Sequence, residues 1–143
     1  MQTQNTEKRE VATLIPYKKE KQEFKFFLQR RDKDAKRLPD WFGFFGGGLN
    51  QGEQPHDGML REIREELVFN AENAQMFNHY EFLTSINTVY TLEVGDNFES
   101  CIKVCEGQYG KFFTLNEAIA EPKVIETVKL ILTQLSKRLN GML

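Results

Sequence analysis

The stretch Gly47-Gly48-Leu49-Asn50-Gln51-Gly52-Glu53, followed after seven residues by Arg61-Glu62-Ile63-Arg64-Glu65-Glu66, restricts the fold of this chain more than any other. It calls for a glycine-rich turn that hands the backbone to a helix laden with carboxylates. Because a helix advances about 100° per residue, Glu62, Glu65 and Glu66 are expected on one face, with Met59, Leu60, Ile63 and Leu67 on the opposite one. Acids at i,i+3 and i,i+4 spacing repel, so this grouping is costly unless a cation lies among them. Clustered carboxylate oxygens suit a hard divalent ion such as Mg²⁺ or Mn²⁺, and Mg²⁺ commonly shares its shell with substrate phosphates. A solvated charge run is the plain alternative; the glycine turn and Glu53 at fixed offsets upstream weigh against it.

Written as G-x5-E-x7-R-E-U-x-E-E-x-G-U, with U a bulky aliphatic residue, the stretch resembles the Nudix box. Gly47, Glu53, Arg61, Glu62, Ile63, Glu65 and Glu66 fill their positions without a gap. Val68 stands where the family usually has glycine, and Phe69 where it has an aliphatic residue. Both follow the acids, so they bear on the helix exit rather than the chemistry. Upstream, Phe27-Leu28-Gln29-Arg30-Arg31, Trp41 and Gly46-Gly47 are similar to the strand and approach loop that precede the box, with Phe45 in place of the usual proline.

The resemblance implies an α/β (α+β) fold, the Nudix-type α/β/α sandwich with a mixed β-sheet between helices. It also implies a Mg²⁺-dependent hydrolase, with Mn²⁺ as the alternative ion, whose metal ligands are Glu62, Glu65, Glu66 and the Gly47 carbonyl. Arg61 and Glu53 resemble the family's internal ion pair, which braces loop against helix. Glu106, in Glu106-Gly107-Gln108 ahead of Gly110-Lys111-Phe112-Phe113, looks like the segment where many members place a further acidic ligand or base. An exposed strand-end residue is the equal alternative. One of the four glutamates is expected to take the proton from the attacking water.

A chain of 143 residues fits one domain, residues 1–143, with room for a real core. Its 19 basic and 21 acidic residues give a net charge of -2, so no broad basic surface favours long nucleic acid. No apolar run reaches the length of a membrane span, and Met1 to Glu10 is too polar for a signal peptide. A cytoplasmic location without membrane partners is the expectation. Oligomeric state stays open, a homodimer included. Cys101 and Cys105 are expected on one side of a strand as half-buried thiols rather than a disulfide or metal site.

Val11 to Tyr17 and Glu23 to Gln29 read as an antiparallel pair, and Arg30 to Asp40 as a polar loop. The box helix should run from Pro55 to Leu67, with Asp57 near its positive end and Gln54 as a weak cap. Further strands are expected around Tyr80 to Asn87, Thr88 to Val94, Ser100 to Cys105 and Lys111 to Phe113, with a turn at Gly95-Asp96-Asn97. Leu115 to Ala120 reads as a short helix. Pro122 should open a last helix whose core stripe is Val124, Ile125, Val128, Ile131, Leu132, Leu135 and Leu139.

Arg30, Arg31, Lys33, Lys36 and Arg37 either meet substrate phosphates or form a hydrated loop. Trp41, Phe42, Phe44 and Phe45 read mostly as core, with one ring free to stack on a base. His56 and His79 have no partner carboxylate at a telling spacing and read as surface or packed residues. The resemblance and the chain's size together imply a small nucleotide-like substrate: a nucleoside diphosphate linked to another moiety, first a nucleoside triphosphate, oxidised ones included. A dinucleoside polyphosphate or nucleotide-sugar hydrolase is the alternative enzyme, and a non-catalytic nucleotide-binding regulator the alternative class.

Overall fold

Along Glu23–Arg30, Phe26 and Leu28 enter one apolar layer and Phe27 the other. A strand that buries both faces must lie in a sheet covered on both sides. The computed structural model, which describes residues 8–141, shows this. Among those residues seven strands form one mixed sheet: β1 (Arg9–Glu20), β2 (Glu23–Arg30), β3 (Phe42–Gly43), β4 (Phe45–Gly48), β5 (Gln75–Glu81), β6 (Ser85–Glu93) and β7 (Tyr109–Thr114). Long strand β1 is the hub, antiparallel to β2 and β4 and parallel to β6. Strand β7 runs antiparallel along β2.

Helix α1 (Pro55–Leu67) and the single turn α2 (Phe98–Cys101) cover one face; α3 (Leu115–Ala120) and α4 (Glu126–Leu139) belong to the other. Met59, Ile63 and Leu67 pack with Leu14, Phe27 and Phe45 under α1. Val128, Ile131, Leu132 and Leu135 of α4 pack with Ile15, Phe26 and Leu28. The result is the expected α/β/α sandwich. Phe45, at the family's proline position, is fully buried and stacks on Phe27 at 5.5 Å between ring centroids. No described helix is long and apolar enough to cross a membrane. Most of the polar segment Met1 to Glu10 lies outside the described residues.

Helix α1 has the expected bounds, with Pro55 in its first turn and no side-chain cap from Gln54. It ends at Val68, whose φ of 51° and ψ of 47° are left-handed, with its N–H donated to the Arg64 carbonyl. This explains why glycine suits the position: a Cβ there costs about 1–2 kcal/mol, more for a β-branched side chain. Val68 is 58% exposed, so packing returns little. We expect Val68→Gly to raise stability by about 1 kcal/mol, after allowing for glycine's greater unfolded-state entropy, with a higher urea midpoint. A lower midpoint would mean that Val68 makes a contact worth more than its strain.

Four local expectations are corrected. Ser100 to Cys105 is not a strand, because Phe98–Cys101 is a helical turn and the backbone beyond it bonds to the end of α1: Lys103 N–H donates to the Leu67 carbonyl (2.9 Å) and Cys105 N–H to that of Glu66 (2.7 Å). Cys101 and Cys105 are accordingly exposed free thiols, not half-buried neighbours on a strand. The strands expected at Tyr80 to Asn87 and Thr88 to Val94 are instead β5 and β6, hairpinned through Phe82 to Thr84. Pro122 does not open the last helix. Phe42 bonds through its N–H to the Lys123 carbonyl and through its carbonyl to Ile125 N–H, a parallel bridge that holds Val124 beside β3, so α4 starts at Glu126.

Candidate metal centre

Strand β4 and helix α1 meet with almost no space between backbone and carboxylates. Gly46 lies at φ +131°, and a Cβ there would fall 2.3 Å from the Ala12 carbonyl oxygen. Only glycine fits. Its N–H donates to Glu66 Oε1 at 2.8 Å. At Gly47 a Cβ would lie 2.8 Å from Glu62 Cδ, so Glu62 packs on bare strand backbone.

The third acid arrives from far along the chain. The last carbonyls of a helix lack partners within it, and those of Glu66 and Leu67 are taken by the backbone of Cys105 and Lys103. Glu106 is thereby delivered to the end of α1, and Gln29 Nε2 donates to its carbonyl at 3.0 Å. Carboxylate oxygens of Glu62, Glu66 and Glu106 all lie within 4.8 Å of one another. Glu65 stands outside this group, its side chain 55% exposed and 3.6 Å from Arg61 Nη1.

Glu66 is 4% exposed, buried alongside Ile63 and Leu67 rather than sharing a solvent face with Glu65. Burial pushes its carboxyl up to about 9 against the pull of the Gly46 N–H, and the nearby Glu62 and Glu106 add to the rise. Without a cation the cluster therefore keeps a proton at neutral pH.

Arg61 braces the junction as the box resemblance implied. Its Nε and Nη2 grip both oxygens of Glu53 (2.9 and 3.0 Å), Nη2 also donates to the Gly48 carbonyl (3.0 Å), and Nη1 donates to Glu62 Oε1 (3.0 Å). Glu53 Oε1 accepts the Asn50 N–H as well. These Arg61 contacts, with the Asn50 N–H, hold the Glu53 carboxyl down at about 2. One guanidinium thus ties the glycine strand, the following loop and the helix together.

Because the atoms a Gly47 side chain would meet are the flexible end of Glu62, Gly47→Ala should fold yet displace that carboxylate. We expect Mn²⁺ affinity by titration calorimetry to fall ~10-fold. Wild-type affinity would remove Gly47 from the proposed ligand site.

Beside Gly46 and Gly47 opens a cleft of about 420 Å³. Arg31, Lys36 and Arg37 from the polar loop line it, whereas Arg30 is engaged with Asp40 and Tyr109. Phe44 is the one ring of the aromatic approach in its wall; Phe42 and Phe45 are buried. Arg9, Thr13 and Asn87 also line it; each is an ordinary strand residue, and no motif or spacing singles it out. His56 packs edge-on against Tyr90, and His79 bonds Thr88, neither in this site.

The helical layers about a mixed sheet and the glycine strand feeding an acid-bearing helix define a Nudix-type domain. The NUDIX domain model matches residues 7–133, and the chain belongs to the Nudix family. No curated protein matches. Among solved structures, it is similar to a C. elegans Ap4A hydrolase in a binary complex, at 21% identity and a TM-score of 0.68 over 93% of this chain and 98% of that one. The NUDIX domain of Shewanella oneidensis NrtR, complexed with ADP ribose, is 14% identical with a TM-score of 0.75, over 93% and 89% of the two chains. A MutT protein from Methanosarcina mazei Go1 is 19% identical with a TM-score of 0.68, over 94% and 97%. At these identities the likeness is one of fold.

Proposed function

We propose that this Nudix domain is a Mg²⁺-dependent hydrolase, with Mn²⁺ able to substitute, that cleaves a diphosphate bond in a nucleoside diphosphate linked to another moiety. Its preferred substrate is a nucleoside triphosphate, oxidised ones included. The observation that carries this reading is the convergence of Glu62, Glu66 and Glu106 within 4.8 Å beside the cleft. A buried carboxyl among two others, with Arg61 reaching only Glu62 of the three, is a hard-oxygen donor set short of positive charge, which fits a small divalent cation.

Glu62, Glu66 and Glu106 would hold the ion, with the Gly47 carbonyl and Glu65 as further donors. When bound, it neutralises phosphate charge and lowers the pKa of a water. Arg61 fixes Glu62 against the strand, and Gly46 orients Glu66. Of the glutamates, one that is not saturated by ligation takes the water's proton. The cleft beside them takes the nucleotide.

The test is phosphate and pyrophosphate release from a panel containing nucleoside triphosphates, diadenosine tetraphosphate, ADP-ribose and capped RNA, with and without Mg²⁺. Metal-dependent turnover highest on a free nucleotide is expected. Preference for capped RNA would overturn the substrate assignment. Nucleotide binding with no turnover on any compound would establish the regulator alternative.

A further inference from the structure

The cleft beside Gly46 and Gly47 has two unlike sides. Phe44, Ile125, Val128 and Ile131 form an apolar wall suited to a base, while Arg9, Arg31, Lys36 and Arg37 line the rest, and no carboxylate joins them. Among the described residues none of these four cations makes an ion pair. This is not for want of acids in a chain of net charge -2. Of the acids in the same loop, Asp40 is spent on Arg30 and Gln108, Asp32 accepts the Gly107 N–H, and the exposed Asp34 lies outside the cleft wall. Like charges gathered without counter-charge repel, and Arg9 feels it: after burial, Arg37 and Arg31 are the next influences holding its guanidinium down, while Glu62 draws it up. Arg9 is therefore within electrostatic reach of both Glu62 and the loop cations. Its guanidinium lies 3.3 Å from where a Gly48 Cβ would be. The cations share one cleft with Gly46 and Gly47, against which Glu66 and Glu62 sit, and are not a separate patch.

We infer that the substrate carries a phosphate chain longer than the diphosphate held at the metal centre, with its outer phosphates among Arg9, Arg31, Lys36 and Arg37 and its base on the apolar wall. This rests on the hydrolase reading above and, among nucleoside diphosphates linked to another moiety, selects those whose moiety is further phosphate: nucleoside triphosphates and dinucleoside polyphosphates. An ADP-ribose-like substrate, which presents a neutral sugar beyond its two phosphates, leaves the outer cations unmatched. Guanidinium and ammonium groups are suited to phosphate oxygens.

Lys36 and Arg37 are exposed and make no side-chain hydrogen bond among the described residues, so the Lys36→Gln, Arg37→Gln double variant should fold. Two measurements test the inference. Inorganic tripolyphosphate, titrated into metal-free protein in EDTA, should bind the wild type with a salt-sensitive affinity and the double variant at least ~10-fold more weakly. With Mg²⁺, kcat/KM for ATP and diadenosine tetraphosphate should fall at least ~10-fold in the variant, and that for ADP-ribose several-fold less. Equal losses on all three nucleotides, or no tripolyphosphate binding by the wild type, would overturn it. Tripolyphosphate binding that depends on Lys36 and Arg37, without turnover of any nucleotide, would retain the anion cleft and sink the hydrolase reading instead.

Discussion

Glu66→Gln should lower metal-dependent turnover by at least ~100-fold, the scale expected when a ligand or general base is lost, while the protein folds as before. Glutamine keeps the shape and can still accept the Gly46 N–H, but it brings no negative charge to the ion. Stability gives an independent check, because burial lifts the Glu66 carboxyl from an ordinary 4.5 to about 9. Below pH 4.5 both folded and unfolded chains hold the proton. As pH rises from there toward 9 the unfolded chain releases it and the folded chain does not, so the native state binds more protons and metal-free stability declines. Glu66→Gln removes that decline, and in EDTA the variant should be as stable as the wild type at pH 5 and more stable at pH 8. Near-wild-type turnover would refute the metal-centre assignment. A variant less stable than the wild type at pH 8 would show that the charged carboxylate is compensated by something other than metal.

Arg61→Ala should impair activity and stability together. The substitution removes donors to Glu53, Glu62 and the Gly48 carbonyl at once. An isolated exposed ion pair contributes about 0–1 kcal/mol, but a partly buried, multiply hydrogen-bonded guanidinium should cost about 1–3 kcal/mol when lost. Turnover should fall ~10–100-fold, as for other groups that orient ligands. Arg61→Lys separates geometry from charge: a single ammonium cannot reproduce the fork on Glu53, so it should recover only part of either loss. Full recovery by lysine, in thermal midpoint and in kcat/KM, would mean that positive charge alone matters at this junction.

The two variants probe different halves of one arrangement. On the proposed reading Glu66 is costly to bury and useful for that reason, since the cluster would be charged fully only when a cation enters. Arg61 has the opposite sign of effect: it stabilises the junction with or without metal and keeps Glu62 from relaxing away from Glu66 and Glu106. Titration of metal into Glu66→Gln and Arg61→Ala should therefore weaken binding in both, but only Arg61→Ala should also lower the stability of the metal-free protein.

What could be read from the chain itself was local. Helix α1 has the bounds expected from Pro55 and the Met59, Ile63, Leu67 spacing, and β1 with β2 forms the antiparallel pair expected from neighbouring strand-like runs, because propensity, period and turn chemistry act over a few residues. The box resemblance supplied the family, the Arg61–Glu53 brace and a short list of acids. It could not supply their arrangement. Helical periodicity put Glu62, Glu65 and Glu66 on one face, but the packing of α1 on the sheet buries Glu66 and leaves Glu65 toward solvent, a choice made by where the helix meets β4. Glu106 joins Glu62 and Glu66 only because the free carbonyls at the end of α1 capture the backbone of Lys103 and Cys105, and the same bonds prevent the strand expected there. Arg9 enters the cleft because β1 lies between β4 and β6 in the sheet. Each of these depends on hydrogen bonds between residues distant in the chain, for which local spacing holds no record; they exist only once the sheet has closed and decided which backbone groups remain unpaired.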